Sequence, residues 1–153
     1  MLRMPGQPSL KGRALAYLSR REHSRVELSR KLSGFCDDPV EVDRVLDDLQ
    51  AHGLLSDDRF VESVLHRRAG RMGAARLKQE LQAKGISPER VRDAVQALQP
   101  TELARARDVW QKRFGQPATD TKEQARQMRF LLARGFSADV VRQVVRARHT
   151  GDD

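Results

Sequence analysis

Arginine and lysine are the side chains of this chain with most chemistry to offer, and they come in blocks. These are Arg20-Arg21, Arg30-Lys31, His66-Arg67-Arg68 followed by Arg71, Arg76 with Lys78, Lys112-Arg113, and Arg126 with Arg129 and Arg134. A guanidinium stays charged and presents a fork of N–H donors that matches a phosphate or a carboxylate, so such blocks suit a polyanionic partner. The residues singled out as partner or nucleic-acid contacts are Arg25, Arg30, Lys31, Arg67, Arg68, Arg71, Arg76, Lys84, Arg126, Arg129 and Arg134. The competing reading is a solvated helix face, with Asp and Glu pairing locally for about 0.3–0.5 kcal/mol each.

Catalytic or metal chemistry finds no comparable support. Cys36 lies between Phe35 and Asp37 with no neighbouring His or Lys to activate it, which reads as a buried or incidental thiol. His23, His52, His66 and His149 are scattered and, with one Cys, form no zinc-ligand spacing. The acidic pairs Asp37-Asp38, Asp47-Asp48 and Asp57-Asp58 read as helix caps and solvated charge, since two of them stand where helices should start. No phosphate-binding loop, nucleophile elbow or metalloprotease motif is present, so neither an enzyme, a metal nor a cofactor is expected.

What must position the basic blocks is helix. Apolar residues recur at helical spacing, as in Val42, Val45, Leu46 and Leu49 or Val91, Ala94, Val95 and Leu98, and no segment alternates as a strand. Ser24 with Glu27 reads as a capping box, Asp38-Pro39 and Ser87-Pro88 as N-cap and N1, and Ser137 as a further start. Gly53, Gly85, Gly115 and Gly135 read as stops. Helices are expected over about 9–22, 25–32, 39–52, 57–71, 74–84, 88–98, 102–114, 121–134 and 138–149. Gly70-Arg71-Met72-Gly73 reads only as a break between two of them, and Trp110, at helical spacing with Leu103 and Phe114, as core.

The helices repeat. An offset of 49 residues places Leu28, Leu32, Pro39, Val42 and Leu49 on Leu77, Leu81, Pro88, Val91 and Leu98. An offset of 50 places Gly85-Ile86-Ser87 on Gly135-Phe136-Ser137. The expected fold is therefore all-α, three tandem three-helix repeats over 9–55, 56–99 and 100–149, with flexible termini at 1–8 and 150–153. One such unit buries too little apolar surface to stand alone, so neighbours must stack, and the expectation is an elongated, curved array.

The chain has 153 residues, 33% of them charged, and a formal net charge of +8. That charge favours nucleic acid or an acidic protein surface as partner. It divides as +1 up to Leu55, +3 from Ser56 to Pro100 and +4 afterwards. Aromatic residues make up only 5%, mostly at apolar-face positions, so base stacking is not the obvious mode. One Cys, no secretory apolar segment at the start and no long apolar run fit a cytoplasmic protein away from the membrane, and without a heptad seam a monomer is expected. The stretch from Ser24 to Leu55 also admits a helix-turn-helix reading and hence a transcription regulator, but a winged form needs a hairpin after Leu55, where helical periodicity resumes.

Five segments, in this order and spacing, resemble the RecX family of recombinase regulators. They are Ser24-Arg25-Val26-Glu27-Leu28, Gly53-Leu54-Leu55-Ser56-Asp57-Asp58-Arg59-Phe60, Glu80-Leu81-Gln82-Ala83-Lys84-Gly85-Ile86, Lys112-Arg113-Phe114-Gly115 and Phe130-Leu131-Leu132-Ala133-Arg134-Gly135-Phe136-Ser137. The resemblance runs from about Leu15 to Arg146. It departs at Phe35-Cys36, where later copies have Lys84-Gly85 and Arg134-Gly135, and at Gly73-Ala74, where the family commonly has Gly-Pro. It implies tandem three-helix repeats and binding to RecA and to the filament RecA forms on single-stranded DNA. It further implies damping of ATP hydrolysis, strand exchange and co-protease activity from the filament groove, and weak direct binding to DNA.

Overall fold

The structure, a computed structural model, describes the backbone of residues 6–150 and side chains as far as Arg146. The expected loose termini fall largely on residues 1–5 and 151–153, outside the described residues. Among the described residues there are nine α-helices and no strand: α1 (Leu10–Arg20), α2 (Arg25–Leu32), α3 (Pro39–Ala51), α4 (Asp57–Arg68), α5 (Ala74–Ala83), α6 (Pro88–Leu98), α7 (Glu102–Arg113), α8 (Thr121–Ala133) and α9 (Ala138–Thr150). A short 3-10 turn, Gln99–Thr101, leads into α7. Where a wing would follow Leu55 the chain forms α4 instead.

Local chemistry accounts for the boundaries. Ser9 accepts from the Gly12 amide at 2.9 Å, Asp38 from Val40 at 3.0 Å with Pro39 behind it, and Asp120 from Glu123 at 2.7 Å. Each oxygen satisfies an amide that the first turn cannot pair internally. The expected capping box at α2 forms only in part. Ser24 Oγ accepts from the Glu27 amide at 3.1 Å, but the Glu27 carboxylate turns away to Arg21 and Lys84. Helix α4 ends at Arg68, short of the expected Arg71, because the amides of Arg71 and Met72 both close on the Arg68 carbonyl and tighten the last turn.

The chain divides into two compact units, Met1–Ser63 with Ala83–Ser87 and Val64–Gln82 with Pro88–Asp153. In the first, Ala14, Leu28, Leu32, Val42, Leu46, Leu49 and Leu55 form a core, flanked by Leu10, Tyr17 and Leu18. In the second, Ala106, Trp110, Leu131, Phe136, Val141, Val144 and Val145 do so. Trp110 is core, as its spacing predicts, and its indole N–H donates to Gln127 Oε1 at 2.9 Å.

Each unit contains one junction between successive repeats, and both junctions use the same two devices. The first is a cap supplied from outside the helix. Asp57, opening α4, accepts from the Arg25 amide at the start of α2 (2.8 Å); Glu102, opening α7, accepts from the Ala74 amide at the start of α5 (2.9 Å). The second device is a glycine docked on the same helix start. Gly85 (φ +74) lies against Val26, and Gly135 (φ +90) against the backbone of Arg76, so closely that a Cβ on either would overlap its neighbour. The carbonyl just before each glycine is also bonded across: Ser24 Oγ donates to that of Lys84 at 2.7 Å, and the Gly73 amide to that of Arg134 at 2.8 Å. Gly73 is thus more than a break between helices. Any side chain on it would collide with Gly135, which explains a glycine there on packing grounds alone.

Candidate polyanion-binding site

In the second unit the turn after α4 meets α7 and α8 around a concavity of about 330 Å³. Its rim carries Arg71, Lys112, Arg113 and Arg134, its apolar surface is Val109 and Phe130, and none of its lining residues is acidic. Helical geometry brings these together: Val109, Lys112 and Arg113 share one face of α7 at spacings of three and four, and Phe130 and Arg134 stand one turn apart along α8. The turn bearing Arg71 is fastened by Arg105, whose guanidinium donates to the carbonyls of Ala69 (2.9 Å), Met72 (2.5 Å) and Leu98 (3.0 Å). Burial lowers the pKa of Arg105, with Glu102 opposing, and it remains a cation that replaces missing helix-end donors.

Phe130 organises the cations. The guanidinium carbons of Arg113 and Arg134 lie 5.3 and 5.0 Å from its ring centroid, and Phe114 meets it edge-on at 5.4 Å. The ring quadrupole attracts each cation at this distance while leaving N–H groups able to bind an anion. A second hollow of about 290 Å³ shares Arg113 and continues past Phe114 to Arg126, whose charge is partly matched by Glu123 at 3.0 Å.

The singled-out residues separate into two sets. Arg71 and Arg134 line the concavity, and Arg126 the hollow beside it. Arg67, Arg76 and Arg129 are exposed and, like Arg71, have no side-chain ion pair among the described residues. Arg68 pairs with Glu80 at 3.1 Å. The remaining four lie in the first unit and engage its own groups. Arg25 bridges to Gln50, to Asp47 at 2.7 Å and to Asp43 at 3.8 Å. Arg30 donates to the Ala83 carbonyl at 3.0 Å, and Lys31 meets His23 Nε2 at 2.8 Å and the Tyr17 ring at 4.8 Å. Lys84 pairs with Glu27 at 3.1 Å.

Lys112 and Arg113, visible as a basic block, and Phe130, one of the few aromatic residues, complete the constellation. Their α7 spacing relative to Val109 was the available signal; the approach of the Arg71 turn had none, because Arg105 carries it. Cys36 is half-buried, with its Sγ 3.5 Å from Glu41, and no cluster of metal-ligating side chains occurs among the described residues.

Comparison with known proteins decides the family. The sequence matches the family models described as the first, second and third three-helix domains of RecX over residues 11–49, 56–95 and 101–145. The chain belongs to the RecX family. A "Regulatory protein RecX" of Leptothrix cholodnii is 60% identical over 147 residues, covering 95% of this chain and 94% of that protein. One of Ralstonia pickettii is 52% identical over 143 residues, covering 93% and 90%. A crystal structure of RecX from Lactobacillus salivarius aligns with a TM-score of 0.72 at 22% identity, over 90% of this chain and 92% of that one, and shares the fold. The protein is thus a RecX-family regulator, and no described helix is long and apolar enough to cross a membrane.

Proposed function

We propose that the protein is a noncatalytic modulator of RecA that binds RecA and its filament on single-stranded DNA, lodges in the filament groove and inhibits ATP hydrolysis, strand exchange and co-protease activity. The observation that carries this reading is the concavity lined by Arg71, Lys112, Arg113 and Arg134 with no acidic residue among its lining. Four cations around one hollow raise the local potential for phosphates or for acidic protein side chains. A nucleoprotein filament offers both, repeated along a groove, so contacts that are individually weak add through avidity. Regulation then requires only that the bound state favour one filament conformation over another, because differential affinity shifts the equilibrium.

The test is RecA ATPase on single-stranded DNA, with DNA in excess so that competition for free DNA cannot mimic inhibition. Arg71→Glu with Arg134→Glu should raise the concentration for half-inhibition by about tenfold or more, tenfold being about 1.4 kcal/mol. Inhibition by that variant equal to wild type would remove the concavity from the mechanism. Inhibition absent from the wild-type protein would remove RecA.

A further inference from the structure

We infer that the first unit carries a separate docking groove for a peptide segment of a partner protein, one with an apolar anchor beside acidic residues. The groove, about 220 Å³, runs along α1 with Gly12 and Ala16 on its floor and Tyr17 and Phe35 as aromatic walls. Its charges are Arg13 and Arg20. The Arg13 guanidinium stacks on Phe35 at 4.0 Å, and neither arginine has a carboxylate partner among the described residues. Phe35 is 43% exposed. Its position in the repeat is the one that Lys84 and Arg134 occupy at the two junctions, and here it stands over α1 rather than against a preceding module.

Three features favour a peptide. The floor is two small residues one turn apart, a slot for an aliphatic or aromatic side chain. Tyr17 is already positioned by Lys31 (4.8 Å) and by His23 (5.8 Å between ring centroids), so little side-chain entropy is lost on docking. Beyond Phe35 a neighbouring hollow shares Arg13 but adds the two carboxylates of Asp37 and Glu41, so its balance is acidic. A phosphate backbone crossing Phe35 would meet repulsion there. A peptide with carboxylates at Arg13 and Arg20 and a basic residue beyond its anchor meets opposite charge at both ends. The near-neutral balance of this part of the chain, +1 up to Leu55, agrees.

The probe is a fluorescein-labelled synthetic peptide with a Leu-Phe pair between a run of Asp and Glu and a single Lys. Anisotropy on the full chain should show saturable binding, lost when the Leu-Phe pair is replaced by Ala-Ala. Arg13→Glu with Arg20→Glu should weaken it by about tenfold or more. Ala16→Glu, an exposed helical substitution that puts a carboxylate on the floor without removing a cation, should weaken it comparably. Cys36, the chain's one cysteine, lines the acidic hollow, so saturating peptide should slow its alkylation in the unmutated protein. The concavity variant Arg71→Glu with Arg134→Glu should bind the peptide as wild type does, which separates this groove from the RecA reading. Undiminished binding by the α1 variants would overturn the inference, as would stronger protection of Cys36 by oligo(dT) than by the peptide.

Discussion

The two repeat junctions are built from one plan and differ in the charge that faces the basic residue before the docked glycine. Three residues after Ser24 stands Glu27; three residues after Gly73, its counterpart at the start of α5, stands Arg76. In the first junction Glu27 is buried, its carboxylate held by Arg21 at 2.5 Å and Lys84 at 3.1 Å. In the second, Arg76 is exposed and offers Arg134 no partner, so the Arg134 guanidinium rests on Phe130 at the edge of the concavity. The same backbone position thus makes a structural ion pair in one unit and, in the other, lines the concavity as a cation unpaired among the described residues. A basic residue's type says little about its role until the residue opposite it is known.

The largest effect expected is at the glycines. Gly135→Ala places a methyl at positive φ against the Arg76 backbone, which cannot yield, and should destabilise the second unit by about 3 kcal/mol or more. Gly85→Ala would bring its methyl within 2.6 Å of the Val26 Cβ, which is fixed to α2, and should cost the first unit at least the roughly 1–2 kcal/mol of left-handed backbone. The one tryptophan lies in the second unit, so urea unfolding followed by its fluorescence should shift for the first variant and much less for the second. Equal shifts would show that the two units unfold together.

Next comes Glu27→Gln, which leaves Arg21 and Lys84 facing a neutral amide and should cost about 1–3 kcal/mol at neutral pH. Burial pushes the Glu27 carboxyl up, but hydrogen bonds from Arg21 and Lys84 outweigh it and hold its pKa at about 2, against an ordinary 4.5. A depressed carboxyl contributes stability fully above the unfolded value, and that contribution fades as pH falls from 4.5 towards 2. Urea midpoints measured across that range should therefore converge for wild type and Glu27→Gln. A constant gap would mean that the loss is packing and not charge.

His23 sharpens the same junction at higher pH. It is buried, Nδ1–H donates to the Arg21 carbonyl at 3.1 Å, and Nε2 accepts from Lys31, since a carbonyl only accepts and an ammonium only donates. Burial, with the nearby cations Arg21 and Lys31, lowers its pKa from 6.5 although the carbonyl bond opposes this. The neutral ring's contribution is complete above 6.5 and declines as pH drops below it. Between pH 7 and 5 the wild type should lose stability that His23→Gln does not lose, a difference measurable as a change in midpoint slope.

The smallest effect tests the charge reversal. Arg76→Glu recreates in the second junction the acid that the first one has, and should draw Arg134 away from the concavity. Affinity for single-stranded DNA should fall by roughly three- to tenfold, about 0.7–1.4 kcal/mol, with the fold retained. Unchanged affinity would mean that Arg134 is not a contact.

Much of this architecture was legible in the chain. Helix α2 and α6 have the expected limits, Asp38-Pro39 caps as expected, and the glycines at 53, 85, 115 and 135 all take positive φ. These follow from local rules, in which periodicity, caps and φ preferences act over a few residues. The external caps were hidden, because Asp57 and Glu102 differ in type and act on helices far away in sequence. The division of the basic residues was hidden for the same reason. Nothing near Lys84 in sequence announces Glu27, and nothing near Arg71 announces Phe130.

The sequence by itself determined nine helices, their threefold repetition and an excess of positive charge growing towards the C-terminus, since each depends on short-range pattern or simple counting. Tertiary structure alone decided which cations are paired and which surround a common hollow. Pairing depends on distance between side chains remote in the chain, and over a few ångströms that distance settles whether a charge is neutralised or presented.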